Sequence, residues 1–303
     1  MKILIIGLGS IATKHINAIR QIDRDAVIYA LRSGMSAKID PDIVNLYSFE
    51  EVRSFHFDFA IISNPTSEHK KTIDTVLALG CPLFIEKPLS NSVEMQDTLS
   101  KIEKLNLLTY VACNLRFLDV LQYVKKEVQS REKRINEVNI YCGSFLPDWR
   151  PGVDFRTSYS ARSELGGGVH FDLIHEIDYT YWLFGKPEKV IKTLRNVSSL
   201  QIDAIDYANY CLEYGEFNAS IILNYYRRDY KRTLEIVFDD STWFVDLKLN
   251  NIMSDGIEIF SSQQQINDTY MAQMECFYHL LQMQANTSNN SIFEAVEVLK
   301  ICL

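Results

Sequence analysis

The sequence predicts a two-domain α/β protein: a doubly wound parallel sheet over residues 1–115, then an α+β domain with a largely antiparallel open sheet over residues 116–303. Three observations predict it. Short, continuous apolar runs recur through the first third, as strands buried on both faces require. Segments with the helical period lie between those runs, and strand–helix alternation builds a parallel sheet. After about residue 116 the pattern changes to consecutive strand-like segments separated by short turns, which favours antiparallel pairing.

In chain order, Lys2–Ile6 is the first buried strand. Ile11–Ile22 follows as a helix, with Ile11, His15, Ala18, Ile19 and Ile22 along one side. Val27–Leu31, Phe57–Ser63 and Pro82–Ile85 are further strands, and Glu68–Leu79 has the helical period. Asn91 with Glu94 has the spacing of a capping box, which is expected to open a helix over Val93–Leu105. In the second domain, Glu137–Tyr141, Ala208–Tyr214, Ala219–Tyr226, Thr233–Phe238 and Trp243–Leu249 read as strands. Tyr214-Gly215-Glu216 and Asp239-Asp240 supply turns. Ser291–Leu303 reads as a helix, and because the chain stops inside it, truncation there is left open.

The charge balance excludes some partners. Lys and Arg number 31 against 39 Asp and Glu, for a net charge of −8, whereas phosphate backbones call for a basic face. The basic stretch Arg131–Arg134 is short and reads as a solvated turn. Nucleic acid is therefore not expected as a partner. The six cysteines form no CxxC pair and do not cluster with His at ligand spacing, so neither a metal site nor a disulfide framework is expected. The apolar run Ile3–Leu8 is too short for a signal-peptide core, and no stretch approaches the ~20 residues of a membrane span. A cytoplasmic location without membrane contact is expected.

The first turn reads Gly7-Leu8-Gly9-Ser10-Ile11-Ala12, after a buried strand and at the start of a helix. The first glycine allows the tight turn, the second lets backbone approach a pyrophosphate, and Ala12 is small enough for close helix–strand packing. Gly7, Gly9, Ser10 and Ile11 are thus candidates for binding a dinucleotide in a Rossmann domain. The second strand ends at Leu31-Arg32-Ser33, where an NAD site usually carries an Asp or Glu. Arg32 and Ser33 suit a 2′-phosphate, which favours NADP. The competing reading makes Arg32 a solvated strand-end residue beside NAD.

Two more segments sit where parallel strands end, the side on which such sheets bind ligands. One is Asn64-Pro65-Thr66 with His69; the other is Glu86-Lys87-Pro88. Lys87 is expected on the cofactor side, and Pro88 is a candidate for a cis bond.

With these pieces, the chain resembles the glucose–fructose oxidoreductase / inositol dehydrogenase (Gfo/Idh/MocA) family over essentially its whole length. The carriers are the glycine turn with His15, the run Asn64 to His69, Glu86-Lys87-Pro88, Asn114-Leu115-Arg116-Phe117, and Gly166-Gly167-Gly168 with Asp172, His175 and Asp178. The resemblance implies that Lys87 contacts substrate and nicotinamide, that Asp172 and His175 complete the catalytic set, and that Asn64, Pro65, Thr66, His69, Glu86 and Asn114 lie at the cofactor. Family members commonly space the Asp and His four apart. Here they are three apart, which still puts both on one face of a continuous helix; His170 is the alternative histidine. Asp178 is assigned to structure.

Cys142–Arg156 together with Leu173–Tyr179 resembles a branch associated with bacterial surface-polysaccharide and nonulosonic-acid pathways, which implies a sugar or nucleotide-sugar substrate. Trp149, Arg156 and Tyr159 lie in a polar–aromatic stretch suited to hydroxyls and ring faces, and are the substrate-binding candidates. A lysine cation can lower the pKa of a substrate hydroxyl. An imidazole, with its ordinary pKa near ~6.5, can exchange the proton. The expected activity is hydride transfer between nicotinamide and a CH–OH carbon. Two other readings stay open: a non-catalytic dinucleotide-binding regulator, and a reductase of a non-sugar substrate of the biliverdin or dihydrodiol type. Retention of Lys87 and His175 argues against the regulator. The strand Ala219–Tyr226 carries apolar residues on both faces, so a homo-oligomer is expected through the face that does not cover the domain's own helices.

Overall fold

A computed structural model describes residues 1–32, 34, 40–130 and 133–303. Along the chain run β1 (Lys2–Ile6), α1 (Ser10–Ile22), β2 (Val27–Leu31), β3 (Ile43–Leu46), α2 (Phe49–Arg53), β4 (Phe59–Ile62), α3 (Thr66–Val76), β5 (Leu83–Glu86), α4 (Gln96–Leu105) and β6 (Thr109–Ala112). Then come α5 (Asp119–Ser130), β7 (Ile135–Phe145), α6 (Val169–Asp172), α7 (His175–Phe184), β8 (Lys189–Arg195), β9 (Tyr207–Glu213) and β10 (Asn218–Asn224). The chain finishes with β11 (Tyr226–Phe238), β12 (Thr242–Asp246), β13 (Asn251–Ser254), β14 (Ile257–Ser261), α8 (Asp268–Gln282) and α9 (Ile292–Cys302).

Two compact units form. The first holds Met1–Cys113, Tyr270–Ile301 and Leu303; the second holds Asn114–Thr269 and Cys302. The sequence reading assigned all of 116–303 to the second domain, and it differs here because α8 and α9 serve the first sheet. Phe277 of α8 is fully buried against the rings of Phe59, Phe84 and Tyr110, with centroids 5.2, 5.3 and 5.7 Å away. From α9, Ile292, Ala295 and Val296 join the core around Leu4, Ile62 and Ile85. An apolar helix stripe says that a helix covers a sheet; it does not say which sheet.

The first unit's sheet is six-stranded and parallel, in the order β3-β2-β1-β4-β5-β6. Ile3, Leu4 and Ile5 are fully buried, as the unbroken apolar run requires of a strand covered on both faces. Strand order reverses at β1, so the loops after β1 and β4 flank the switch point where such sheets open a ligand crevice. The expected capping box does not form. Ser90 and Ser92 hydroxyls instead accept from the N–H groups of Ser92 and Glu94, turns that compete with helix, and α4 starts only at Gln96.

The second unit's sheet has eight strands in the order β14-β13-β12-β11-β7-β10-β9-β8. Every pairing is antiparallel except β7 with β10. Alternation decides its faces: Ala208, Tyr210 and Leu212 of β9, like Ala219, Ile221 and Leu223 of β10, point into the core and are fully buried. Ile191, Tyr226 and Phe244 remain exposed.

Candidate functional site

In the first unit, the chain turns at Gly7 with φ +93°. A Cβ there would lie 2.3 Å from the Asn64 nitrogen, so only glycine lets the loops after β1 and β4 close on each other. Ser63 Oγ donates to the Gly7 carbonyl at 2.8 Å and fixes the turn. At Gly9, which precedes α1, a Cβ would meet nothing within 4 Å. The first turn of α1, beginning Ser10-Ile11, holds no acidic residue. The opening N–H groups of a helix have no intrahelical acceptor, and its dipole is positive there. Open space, free donors and the absence of a competing carboxylate fit a pyrophosphate, so Gly7, Gly9, Ser10 and Ile11 can hold a dinucleotide.

The strand-end motifs of this unit are tied together by buried polar groups. His69 Nε2 lies 2.8 Å from the Asn64 carbonyl and its Nδ1 lies 3.0 Å from the Pro88 carbonyl. Burial is the main cause that pushes the His69 pKa down. His15 Nε2 meets Glu86 Oε1 at 2.5 Å, and the Lys87 N–H donates to Glu86 Oε2 at 3.1 Å. His69 and Glu86 therefore brace the loops that carry Asn64 and Lys87; their side chains are spent inside the protein. Asn64 donates its amide to Thr72 Oγ1 at 2.8 Å, Pro65 precedes α3, and Thr66 is its buried first residue. Lys87 is half-buried at the end of β5, and the Lys87–Pro88 bond is cis. Arg32 donates its N–H to the Leu46 carbonyl at 2.8 Å and its Nη1 to Asn45 Oδ1 at 3.1 Å. Ser33 lies outside the described residues.

In the second unit, Asp172 and His175 do not share one continuous helix, contrary to the sequence reading. Asp172 ends α6, Leu173 and Ile174 form a turn, and His175 begins α7. Asp172 Oδ2 accepts from the Tyr225 hydroxyl at 2.5 Å. Tyr225 is fully buried, and burial followed by the Asp172 charge raises its pKa well above the ordinary phenol value, so it remains a donor. Trp149 sets its ring edge-on to Tyr225 at 5.4 Å and donates Nε1–H to Ser144 Oγ at 3.1 Å. Trp149, Tyr225 and Asp172 thus form one contiguous group.

Tyr159 donates its hydroxyl to the Gly166 carbonyl at 2.8 Å, and so braces the glycine run. Arg156 is exposed, its guanidinium 4.5 Å over the Phe155 ring. At Gly167 the neighbour is the protein itself, since a Cβ there would lie 2.1 Å from the Tyr159 carbonyl oxygen. His170 is buried with its pKa lowered to about 4, chiefly by burial and then by Lys192. Asn114, expected at the cofactor, belongs to this second unit; it is buried and donates to Thr269 Oγ1 at 2.6 Å.

Two buried ion pairs fasten α7. Asp178 receives Arg116 Nε and Nη2 at 2.8 and 2.6 Å. Glu176 receives Arg232 Nε and Nη2 at 2.6 and 3.0 Å. Glu176, Arg232 and Tyr225 escaped the sequence reading. Two acids, Glu176 and Asp178, two apart in the short helix that His175 begins, were the available signal for the first. Among the described residues, no group of His, Cys, Asp and Glu is arranged to hold a metal ion.

The glycine turn on a parallel sheet, with a second unit built on an open sheet, defines a dinucleotide-binding α/β protein. The chain belongs to the GFO/IDH/MocA oxidoreductase family, with its NAD-binding Rossmann fold: residues 1–112 match that domain and residues 122–243 match the family's C-terminal domain. It is similar to scyllo-inositol 2-dehydrogenase (NADP(+)) of Bacillus subtilis (strain 168), 25% identical over 59% of this chain and 49% of that protein. It is also similar to 2,7-anhydro-N-acetylneuraminate hydratase of Mediterraneibacter gnavus, 27% identical over 54% of this chain and 42% of that protein. Myo-inositol 2-dehydrogenase of Thermotoga maritima is 23% identical over 61% of this chain and 55% of that protein. The chain spans about half the length of the curated relatives it matches. An oxidoreductase from Thermotoga maritima shares the fold at TM-score 0.85 and 19% identity, covering 100% of this chain and 94% of that one. Myo-inositol 2-dehydrogenase from Lactobacillus plantarum does so at TM-score 0.82 and 18% identity, covering 100% and 95%.

Proposed function

We propose that the protein is an NAD(P)-dependent oxidoreductase acting on a CH–OH or ketone carbon of a polyol, sugar or nucleotide sugar. The observation that carries the reading is the edge of the first sheet: the carboxyl ends of β1, β4 and β5 bear Gly9, Asn64 and Lys87, so a cation stands on the same edge as the open glycine turn. The inositol dehydrogenases among the relatives support the substrate class. When bound, the dinucleotide supplies the hydride acceptor or donor. Gly7, Gly9, Ser10 and Ile11 hold its pyrophosphate, with Asn64, Pro65 and Thr66 on the adjoining loop.

Lys87 stabilises negative charge on the substrate oxygen. His175 takes or returns the hydroxyl proton, and Asp172, aimed by Tyr225, orients the substrate or its partner group. Trp149 offers an indole face to a sugar ring; Arg156 and Tyr159 remain candidates at the same loop. Arg32 favours NADP, as does the NADP-dependent relative. A homo-oligomer through the sheet face bearing Ile191, Tyr226 and Phe244, and a cytoplasmic location, belong to the same proposal.

The test is a panel of polyols, sugars and nucleotide sugars with NADP+ and NAD+, read by reduced-nicotinamide absorbance and by thermal stability. A ligand at ~100 times its Kd adds ~2.7 kcal/mol of stability. Tight dinucleotide binding with no turnover across the panel would favour the regulator. A monomeric mass by light scattering at micromolar concentration would remove the oligomer.

A further inference from the structure

We propose that Asn45 sets the cofactor preference by holding Arg32 as an uncompensated cation at the carboxyl end of β2. The inference rests on the NADP reading above and deepens it. Strand β2 lies beside β1, and its last residue, Leu31, pairs with Ile6, the residue before Gly7. Arg32 therefore follows the strand end adjacent to the glycine turn, the position that meets the adenosine ribose in a doubly wound sheet.

The side chain at this position is placed from both ends. Its backbone is tied to β3 through the Leu46 carbonyl at 2.8 Å, and its guanidinium donates to Asn45 Oδ1 at 3.1 Å. Asn45 Nδ2 donates in turn to the Ile43 carbonyl at 3.2 Å. That second bond settles which end of the amide faces Arg32: the nitrogen is used on the backbone, so the oxygen points at the guanidinium. The acids nearby in sequence, Asp40 and Asp42, lie 3.9 and 3.8 Å from Arg20.

The identity of the acceptor decides the chemistry. A guanidinium has five N–H donors. A neutral amide oxygen occupies one of them and leaves the charge intact. A carboxylate at the same place would take a bidentate grip and neutralise it. A ribose 2′-phosphate carries a charge of roughly −1.5 to −2 and needs the free cation. A ribose diol carries none and is served better by a carboxylate. Asn at position 45 therefore selects the phosphate, and Asp at that position would select the diol.

The test uses binding alone: dissociation constants of NADP+ and NAD+ for the wild type and for Asn45→Asp, Asn45→Ala and Arg32→Ala, by titration calorimetry, with melting temperatures to verify folding. In Asn45→Asp, NADP+ binding is expected to weaken tenfold or more while NAD+ binding holds or tightens. Asn45→Ala should weaken NADP+ less, because the charge remains and only its placement is lost. Arg32→Ala should abolish the preference. A wild type that prefers NADP+ together with an unchanged ratio in Asn45→Asp would overturn the role of Asn45. A wild type that prefers NAD+ would overturn the NADP reading itself.

Discussion

The hydroxyl of Tyr225, a fully buried residue in the turn between β10 and β11, donates across 2.5 Å to the carboxylate of Asp172, which ends α6. The pair joins the second sheet to the short helix that carries a candidate catalytic acid. A hydrogen bond to a charged group is worth ~1.5–3 kcal/mol. Tyr225→Phe keeps the ring packed against Trp149 and removes this bond together with the hydroxyl's hydrogen bond to Ser160. A stability loss of ~1–3 kcal/mol is expected by urea denaturation, with a fall in kcat larger than any change in KM once a substrate is found. An unchanged midpoint and an unchanged kcat would dismiss the pair.

The paired arginines make a stronger claim. Glu176 with Arg232 and Asp178 with Arg116 are buried and bidentate, and both acids lie on α7. Removing one partner strands the other charge out of water, which costs ~3–5 kcal/mol. Arg232→Met is expected to destabilise by that amount, and Arg232→Met with Glu176→Leu to recover most of it, because an apolar pair replaces the ionic one. Denaturant midpoints at neutral pH decide it. A single variant within ~0.5 kcal/mol of wild type would show that these pairs do not hold the helix.

Stability should also bend with pH through His170. Its pKa is about 4 in the fold against an ordinary 6.5, because burial disfavours the cation. Between those values the unfolded chain binds a proton that the folded chain refuses. The contribution is therefore complete above pH 6.5 and lost as pH falls toward about 4, roughly 3 kcal/mol over the whole window. Denaturation curves of the wild type and His170→Asn across that range check it: the variant's slope should be flatter. Parallel slopes would assign the acid sensitivity elsewhere.

What the sequence disclosed and what it withheld divide along physical lines. The buried strands of the first sheet announced themselves as apolar runs, and the glycine turn is legible because its residues are demanded by backbone geometry at Gly7 and by space at Gly9. Lys87 was found because it follows such a strand. Tyr225 and Asn45 were not, since each acts through a partner distant in the chain or in the next strand, and no local period marks such a pairing. The break between Asp172 and His175 was hidden for a similar reason. Leu173 and Ile174 are ordinary helix formers, and the turn there is imposed by tertiary context rather than by propensity. The placement of α8 in the first unit depends on Phe277 meeting Phe84 and Tyr110, and that of α9 on Ile292, Ala295 and Val296 joining the core around Leu4 and Ile85, contacts that the amphipathic pattern leaves undetermined.

The decisive chemical prediction concerns Lys87 and His175. Lys87 stands half-buried where β5 ends, on the sheet edge that bears the glycine turn, and His175 opens a helix that two ion pairs hold in place. Lys87→Met removes the cation while keeping most of the stem. His175→Ala removes the imidazole at that helix start. Each is expected to lower turnover by two or more orders of magnitude, since a positioned acid–base group contributes ~10²–10⁴-fold. Dinucleotide affinity should change little in His175→Ala, because the glycine turn, Arg32 and Asn64 are untouched. The measurement pairs single-turnover rates, on whichever substrate the panel yields, with calorimetric dinucleotide titration of the same samples. Near wild-type turnover in either variant would remove that residue from the mechanism. Loss of dinucleotide binding in His175→Ala would assign the histidine to the cofactor or to folding, and leave the proton to another group.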